Sequence, residues 1–203
     1  MDAPTAPMTA FVLAGGRSRR FTTEKAAHPW AGRPLLAHAV ALLRRAFAEV
    51  RVVGRAGVDY AAWCDAPVVR DRFPDCGPLG GIHAGLRAAP AGWAFFAACD
   101  MPLLRPEVVA LLVAGCAPGV QAVVPEAGGW RVPTLGCYHA SGLPELEARL
   151  ARGQRAAQGY LDAVDTRVVP EAALRRVDPG LQSLTNLNTL AQWRQAAGRA
   201  APE

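Results

Sequence analysis

The chain carries twenty-one arginines but a single lysine, Lys25, and only two asparagines, Asn186 and Asn188. In a sequence that has largely exchanged Lys for Arg, such exceptions are places to look for chemistry. Lys25 closes the stretch that begins Leu13-Ala14-Gly15-Gly16-Arg17-Ser18-Arg19-Arg20. From Gly15 onward, two glycines, three arginines and the lysine fall within eleven residues. Glycines let a backbone approach a ligand closely, and successive N–H groups can form a nest for an anion. The cations that follow can neutralise phosphates. The stretch is neither GxxxxGK[ST] nor GxGxxG, and a Gly-Gly turn before a solvated basic surface would share its composition. A second place is Cys99-Asp100-Met101-Pro102, where a carboxylate follows the apolar run Phe95–Ala98. An isolated buried charge is costly, so Asp100 needs a partner. A Mg²⁺ ion, held by one or two carboxylates and substrate phosphates, is one such partner; capping the turn before Pro102 is the alternative. Cys99 itself reads as a small hydrophobe. Gly77-Pro78-Leu79-Gly80-Gly81 forms a third place, where glycines permit close approach of backbone to a base or ribose. Asn186 and Asn188 are spaced i, i+2, so an extended segment turns both amides to one side. Asn188 is also placed to N-cap a helix starting near Thr189. His28, His38, His83 and His139 form no ligand spacing. Trp30, Trp63, Trp93, Trp130 and Trp193 read as packing residues rather than stacking platforms.

These places must be positioned by strands and helices that alternate along the chain. Ala10–Ala14, Val50–Val53, Ala66–Val69, Trp93–Cys99, Gln121–Pro125 and Val132–Tyr138 read as short buried strands. Pro34–Phe47, Gly80–Ala88, Pro106–Ala114, Gly142–Arg152 and Leu190–Ala197 fit helices, while Ala156–Val169 is ambiguous. The pattern predicts an α/β fold with a largely parallel sheet covered by helices on both faces, in three layers. Ligands then sit outside the carboxyl ends of the strands, where the first two of these places fall.

Length and composition agree with a single unit. The 203 residues are 51% hydrophobic and 19% charged, which excludes a disordered chain. We expect a tail at residues 1–8, one domain over 9–197 and a second tail at 198–203. No apolar run is long enough for a membrane span. The first eight residues lack the basic start of a secretory signal. Five cysteines without a CxxC pair argue against zinc sites and a disulfide framework, and point to the cytoplasm. The net charge of +5 is scattered, with its densest group at Arg17–Lys25. That suits a small polyanion such as a nucleoside triphosphate better than a nucleic acid.

Taken in order, four segments resemble the molybdenum cofactor guanylyltransferases, a family of Rossmann-like nucleotidyltransferases. The first is similar to that family's LAGGxSxRMGxDK loop. Asp71–Gly81 resembles its D-x(n)-GPLGG loop, Cys99–Pro102 its CDMP, and Asn186–Thr189 its NxNT. The resemblance spans about residues 11 to 195. One departure stands out: Phe21-Thr22-Thr23-Glu24-Lys25 replaces Met-Gly-x-Asp-Lys, losing a glycine and lengthening the acid by a methylene.

The resemblance implies transfer of GMP from GTP to molybdopterin carrying molybdenum, releasing pyrophosphate, with Mg²⁺ as cofactor. It implies catalytic roles for Lys25, Asp100 and Arg20, and Asp100 as the metal ligand. GTP contacts would come from Leu13, Ala14, Gly15, Gly16, Lys25, Asp71, Gly80 and Asp100. Molybdopterin contacts would come from Asn186, Asn188 and, by a looser alignment, Arg155. A carboxylate at Asp71 can accept both N–H groups on the Watson–Crick edge of guanine, which cytosine does not offer; Asp75 is a nearby competitor. GTP and molybdopterin are the expected partners, with transient contacts to molybdoenzymes or cofactor-biosynthesis proteins. Two rivals stay open. Cytidylyltransferases usually carry LAAG where this chain has Leu13-Ala14-Gly15-Gly16, and the missing Cβ at position 15 leaves room for a purine. A non-catalytic nucleotide-binding module finds its only support in Phe21–Glu24.

Overall fold

A computed structural model of the chain describes residues 8–15, 24–73, 75–90, 92–187 and 193. The short apolar runs become strands because their alternate side chains find a helix on either face. In chain order the elements are β1 (Thr9–Leu13), β2 (Pro29–Trp30), β3 (Arg33–Pro34), α1 (Leu35–Leu43), β4 (Glu49–Gly54), β5 (Val68–Arg70), α2 (Pro78–Ala88) and β6 (Trp93–Ala98). The second half adds α3 (Pro106–Val113), β7 (Ala122–Ala127), β8 (Trp130–Arg131), β9 (Leu135–His139), α4 (Leu143–Ala151), α5 (Ala157–Ala163), β10 (Thr166–Val169) and α6 (Glu171–Val177).

The main sheet runs β10-β7-β9-β6-β1-β4-β5, with β8 also paired to β7. β5, β4, β1 and β6 are parallel, as are β7 and β10, while β9 runs antiparallel to β6 and β7. The expected three-layer α/β architecture is therefore what forms. On one face Ala10, Val12, Phe95 and Ala97 pack with α1, α3 and α6 through Leu36, Val40, Val109, Leu112 and Leu174. On the other, Phe11, Val53, Ala94 and Phe96 pack with α2, α4 and α5 through Leu79, Ile82, Leu146 and Tyr160. Burial on both sides explains why these strands read as unbroken apolar runs. α1 presents Leu36, Ala39, Val40 and Leu43 at i, i+3, i+4 and i+7, a helical stripe.

Three expectations change. The strand expected over Val132–Tyr138 starts only at Leu135, because Pro133 has no N–H to pair, and the separate short strand β8 forms just ahead of the expected range. The ambiguous Ala156–Val169 resolves into α5 and β10. α6, which the sequence reading did not include, starts directly after Pro170. Of the expected Leu190–Ala197 helix only Trp193 is described, and it is helical. The expected tails lie outside the described residues except for Met8. No helix among the described residues is long and apolar enough to cross a membrane.

Candidate functional site

The carboxyl ends of β1, β4 and β6 meet at one edge of the sheet and are tied by main-chain bonds. Cys99 N–H donates to the Leu13 carbonyl at 3.1 Å, and Ala14 N–H donates to Val53 at 2.9 Å. The Tyr60 hydroxyl bridges the next step, donating to the Ala14 carbonyl at 3.3 Å and accepting from Arg55 N–H at 3.2 Å. Onto this edge the fold brings the two most conspicuous charges of the sequence. Lys25 Nζ lies 2.7 Å from Asp100 Oδ2, across 75 residues of chain, with side chains 13% and 17% exposed. Asp100 thus has the partner its surroundings demand. Cys99 beside it is buried, and burial pushes its thiol up to about 12. It stays a protonated packing group.

The asparagine segment reaches the same loop. Leu187 N–H donates to the Asp100 carbonyl at 3.0 Å, and Leu187 packs with Trp30, Leu35 and Trp193. Asn186 is thereby fixed next to Asp100 in the fold, and its Oδ1 is buried without a hydrogen-bond partner. An amide oxygen in that state is an acceptor awaiting a donor. Asn188, like Gly16 and Arg20, lies outside the described residues.

Asp71 stands at the end of β5, on the far side of Gly15 from the asparagines. Its N–H donates to the Gly54 carbonyl at 3.0 Å, and its Oδ1 accepts from Phe73 N–H at 2.7 Å. Burial raises its pKa above the usual carboxylate value, against the opposing effects of the Phe73 bond and nearby His83. A Cβ on Gly80 would come within 2.7 Å of Asp71 Oδ2 and of the Phe73 carbonyl. Gly80 therefore lets α2 approach the Asp71 loop itself. At Gly15 a Cβ would meet, among the described residues, only Arg55 N, at the ordinary contact distance of 3.8 Å, so no described residue crowds it. Arg155 donates to the Asp75 carbonyl at 3.2 Å, on the Asp71 loop. Among the described hydrogen bonds none joins it to Asn186.

A family model described as the MobA-like NTP transferase domain matches residues 10–170. The chain belongs to this family. A molybdenum cofactor guanylyltransferase of Desulfosudis oleivorans is 32% identical, covering 97% of this chain and 95% of its own length. A probable molybdenum cofactor guanylyltransferase of Chloroflexus aggregans is 37% identical over 90% and 89%. The molybdopterin-guanine dinucleotide biosynthesis protein A of Archaeoglobus fulgidus superposes with a TM-score of 0.77 at 28% identity, covering 95% and 98%. The Leu13–Lys25, Asp71–Gly81 and Cys99–Pro102 segments all lie inside the span matched by the MobA-like model.

Three features of this MobA-like site were not singled out in the sequence. Glu24, in the departing segment, forms an ion pair with Arg55. Arg55 directly follows β4 and its main-chain nitrogen lies 3.8 Å from where a Cβ on Gly15 would sit, so one residue borders both described stems of the Gly15–Glu24 stretch. The signal was available: Arg55 follows a strand-ending glycine at the carboxyl edge. His38, which has no ligand spacing in the sequence, has a structural task. It holds the loop after Asp100, with Nε2–H donating to the Pro102 carbonyl at 2.9 Å. The guanidinium of Arg33, which only donates, lies 3.4 Å from His38 Nδ1 and assigns the neutral Nε2–H form. Burial is the main reason its pKa falls below 6.5. Trp130 corrects an expectation. Trp30 and Trp193 are buried against each other, and Trp63 and Trp93 lie against Tyr60 and His139. Trp130 is 73% exposed and is not a packing residue.

Proposed function

We propose that this protein transfers GMP from GTP to the phosphate of molybdopterin carrying molybdenum, forming the guanine dinucleotide cofactor and releasing pyrophosphate. The observation that carries the reading is the Lys25–Asp100 pair, set between Gly15 and Asp71 on one side and Asn186 on the other. The names and nearly full-length coverage of the relatives support it. GTP would lie over Gly15 with its base toward Asp71 and its phosphates toward Lys25, Gly16 and Arg20. Leu13, Ala14 and Gly80 shape that side through the main-chain contacts described. Asn186 and Asn188 would meet the acceptor. Arg155, on the Asp71 loop, has less support for an acceptor role than the asparagines.

In the reaction an acceptor phosphate oxygen attacks the α-phosphorus in line. The new P–O bond forms as the bond to the β-phosphate oxygen breaks, and pyrophosphate leaves with the electron pair. An ionised phosphate nucleophile requires little help from a base, so positioning and charge neutralisation dominate. Lys25 offsets charge on the phosphates as it builds on the leaving group. The donor set suits Mg²⁺. No group of three or more metal-ligating side chains is present among the described residues, while Asp100 offers one carboxylate, and Mg²⁺ typically combines one or two with substrate phosphates. Asp100 would hold the ion, which when bound supplies further charge neutralisation at the phosphates. The five free thiols suit a reducing cytoplasm, where the product would pass to molybdoenzymes through transient contacts.

The test is calorimetry with GTP, CTP, ATP and UTP across a Mg²⁺ titration, paired with a pyrophosphate-release assay. GTP is expected to bind about tenfold or more tightly than the others, as a bidentate polar contact commonly provides. Equal affinities sink the guanylyl reading, and a preference for CTP favours a cytidylyltransferase. Binding without any transfer to molybdopterin points to a nucleotide-binding module.

A further inference from the structure

Trp130 is the one large apolar side chain left exposed among the described residues, and the structure holds it in place with care. It stands on the β7–β8 hairpin, whose two-residue turn Gly128-Gly129 takes φ values of +59° and +78°. Such turns need positive φ at both positions, which glycine adopts freely. Two helices on opposite faces of the sheet then hold the hairpin. From α6, Glu171 Oε2 accepts the Gly128 N–H at 2.8 Å, and Glu171 is itself paired with Arg175 at 2.7 Å. From α5, Gln158 exchanges hydrogen bonds with Arg131, accepting from its Nε at 3.0 Å and donating to its carbonyl at 2.8 Å. Asp162 adds an ion pair to Arg131 at 2.5 Å. The backbone is fastened on both sides while the indole between the fastenings stays bare.

Its direction and place follow from the sheet. Neighbouring strand residues point to opposite faces. Arg131 turns to α5, so Trp130 turns to the face of α1, α3 and α6. The 181–187 segment packs on that same face, through Leu181 and Leu184, and carries Asn186. β8 and β9 pair with β7 in succession, so β8 extends the line of β9 past the carboxyl edge. β9 is the strand next to β6, whose end carries Asp100. One strand spacing sideways and a few residues onward put Trp130 on the order of 10 Å from Asp100.

We infer that the Trp130 indole is the stacking surface for the planar fused-ring part of the acceptor, whose phosphate reacts beside Asp100. This inference rests on the guanylyltransferase reading. The amide of Asn186 can satisfy a ring edge or a phosphate oxygen, but a planar heterocycle also has two apolar faces. An indole offers a large flat partner for one of them, favouring an offset stack. The other tryptophans are engaged within the fold and cannot serve.

The experiment uses the full chain and its Trp130→Ala, Trp130→Phe and Trp130→Tyr variants. Steady-state transfer is measured by varying GTP and molybdopterin separately, and binding of a stable oxidised pterin carrying a phosphate ester is measured by calorimetry. Trp130→Ala should raise the acceptor KM and the pterin-phosphate Kd about tenfold, the scale of a lost ring stack. The KM for GTP and the melting temperature should stay unchanged, and Phe or Tyr should restore most of the acceptor affinity. Unchanged acceptor KM and pterin Kd in Trp130→Ala overturn the inference. So does a variant whose acceptor kinetics are intact but whose association with a molybdoenzyme is lost. Failure of the guanylyl reading shows separately, as a wild-type protein without GTP preference.

Discussion

The two flanks of the Lys25–Asp100 pair are built by different means. On the flank with Gly15 and Asp71, main-chain bonds do most of the fastening, as in Ala14 to Val53, Asp71 to Gly54 and Cys99 to Leu13. Gly80 sits where a carboxylate and a carbonyl come close, while Gly15 is not crowded by any described residue. On the flank with the β7–β8 hairpin, side chains do the fastening, through Glu171, Gln158, Asp162 and Arg131. Main-chain bonds do not depend on which side chain is present, so the first flank holds its shape through glycines and a few indispensable groups. The second can be re-aimed by ordinary substitutions.

The sharpest break in this contrast is expected at the pair between the flanks. Lys25→Ala should cut transfer about a hundredfold or more, comparable to losing a preorganised charge-stabilising donor. Lys25→Arg should restore little, because a planar guanidinium does not replace a compact ammonium at a tight phosphate site. Asp100→Asn keeps the shape and should lose most Mg²⁺-dependent transfer while still binding GTP. A variant that melts early yet keeps its specific activity would make Asp100 a turn cap only. Pyrophosphate release across Mg²⁺ concentration, with a melting curve for each variant, reads all three.

The glycines of the first flank separate packing from ligand space. Gly80→Ala forces a Cβ against Asp71 and the Phe73 carbonyl, at a stability cost of about 1–3 kcal/mol, and should weaken GTP binding by displacing Asp71. Gly15→Ala has room in the fold and should melt like the wild type, with GTP affinity alone reduced. Denaturant unfolding and nucleotide calorimetry distinguish them. If Gly15→Ala binds GTP normally, the purine does not pass over that residue.

The Glu24–Arg55 pair should show a smaller effect. Its side chains are 28% and 32% exposed, so solvent screens much of the attraction. Glu24→Gln is expected to cost no more than about 1 kcal/mol of stability and to slow transfer a few-fold by loosening the stem before Lys25. The exchange Glu24→Arg with Arg55→Glu should recover part of that loss, and no recovery would assign the slowing to another cause.

The mildest test is titration of His38, beyond either flank. Burial lowers its folded pKa below 6.5, so the unfolded chain takes up a proton first as pH falls. Its contribution to stability is therefore fully present above about pH 6.5 and is lost as the pH drops below that value. The carboxylates held low, Glu49, Asp65, Glu107 and Glu171, act only further down. His38→Gln keeps a donor for the Pro102 carbonyl without the titration, so its melting temperature should vary less than the wild type's between pH 7 and 5. Identical slopes would remove His38 from this role.

The strands and helices that carry the site were legible because their signals are local. Burial on both faces made β1 and β6 continuous apolar runs, and Pro106 marked the start of α3. Pro133 was equally visible, but its effect on the ladder was outweighed by the apolar residues around it, so the strand read as starting at Val132 starts only at Leu135, and the Trp130–Arg131 pairing left no mark in the pattern. Lys25 and Asp100 were legible by rarity and by the cost of a lone buried charge.

By itself, then, the sequence determined which groups must find partners and where backbone can approach a ligand, since residue chemistry and near-neighbour spacing suffice for both. That Lys25 is the partner of Asp100, that Leu187 docks on the Asp100 carbonyl, and that Gly80 makes room for Asp71 were decided only by tertiary structure. So was the exposure of Trp130, alone among the five tryptophans. Each of these depends on which strands become neighbours, and a contact across 75 residues leaves no mark on the spacing of the residues that make it.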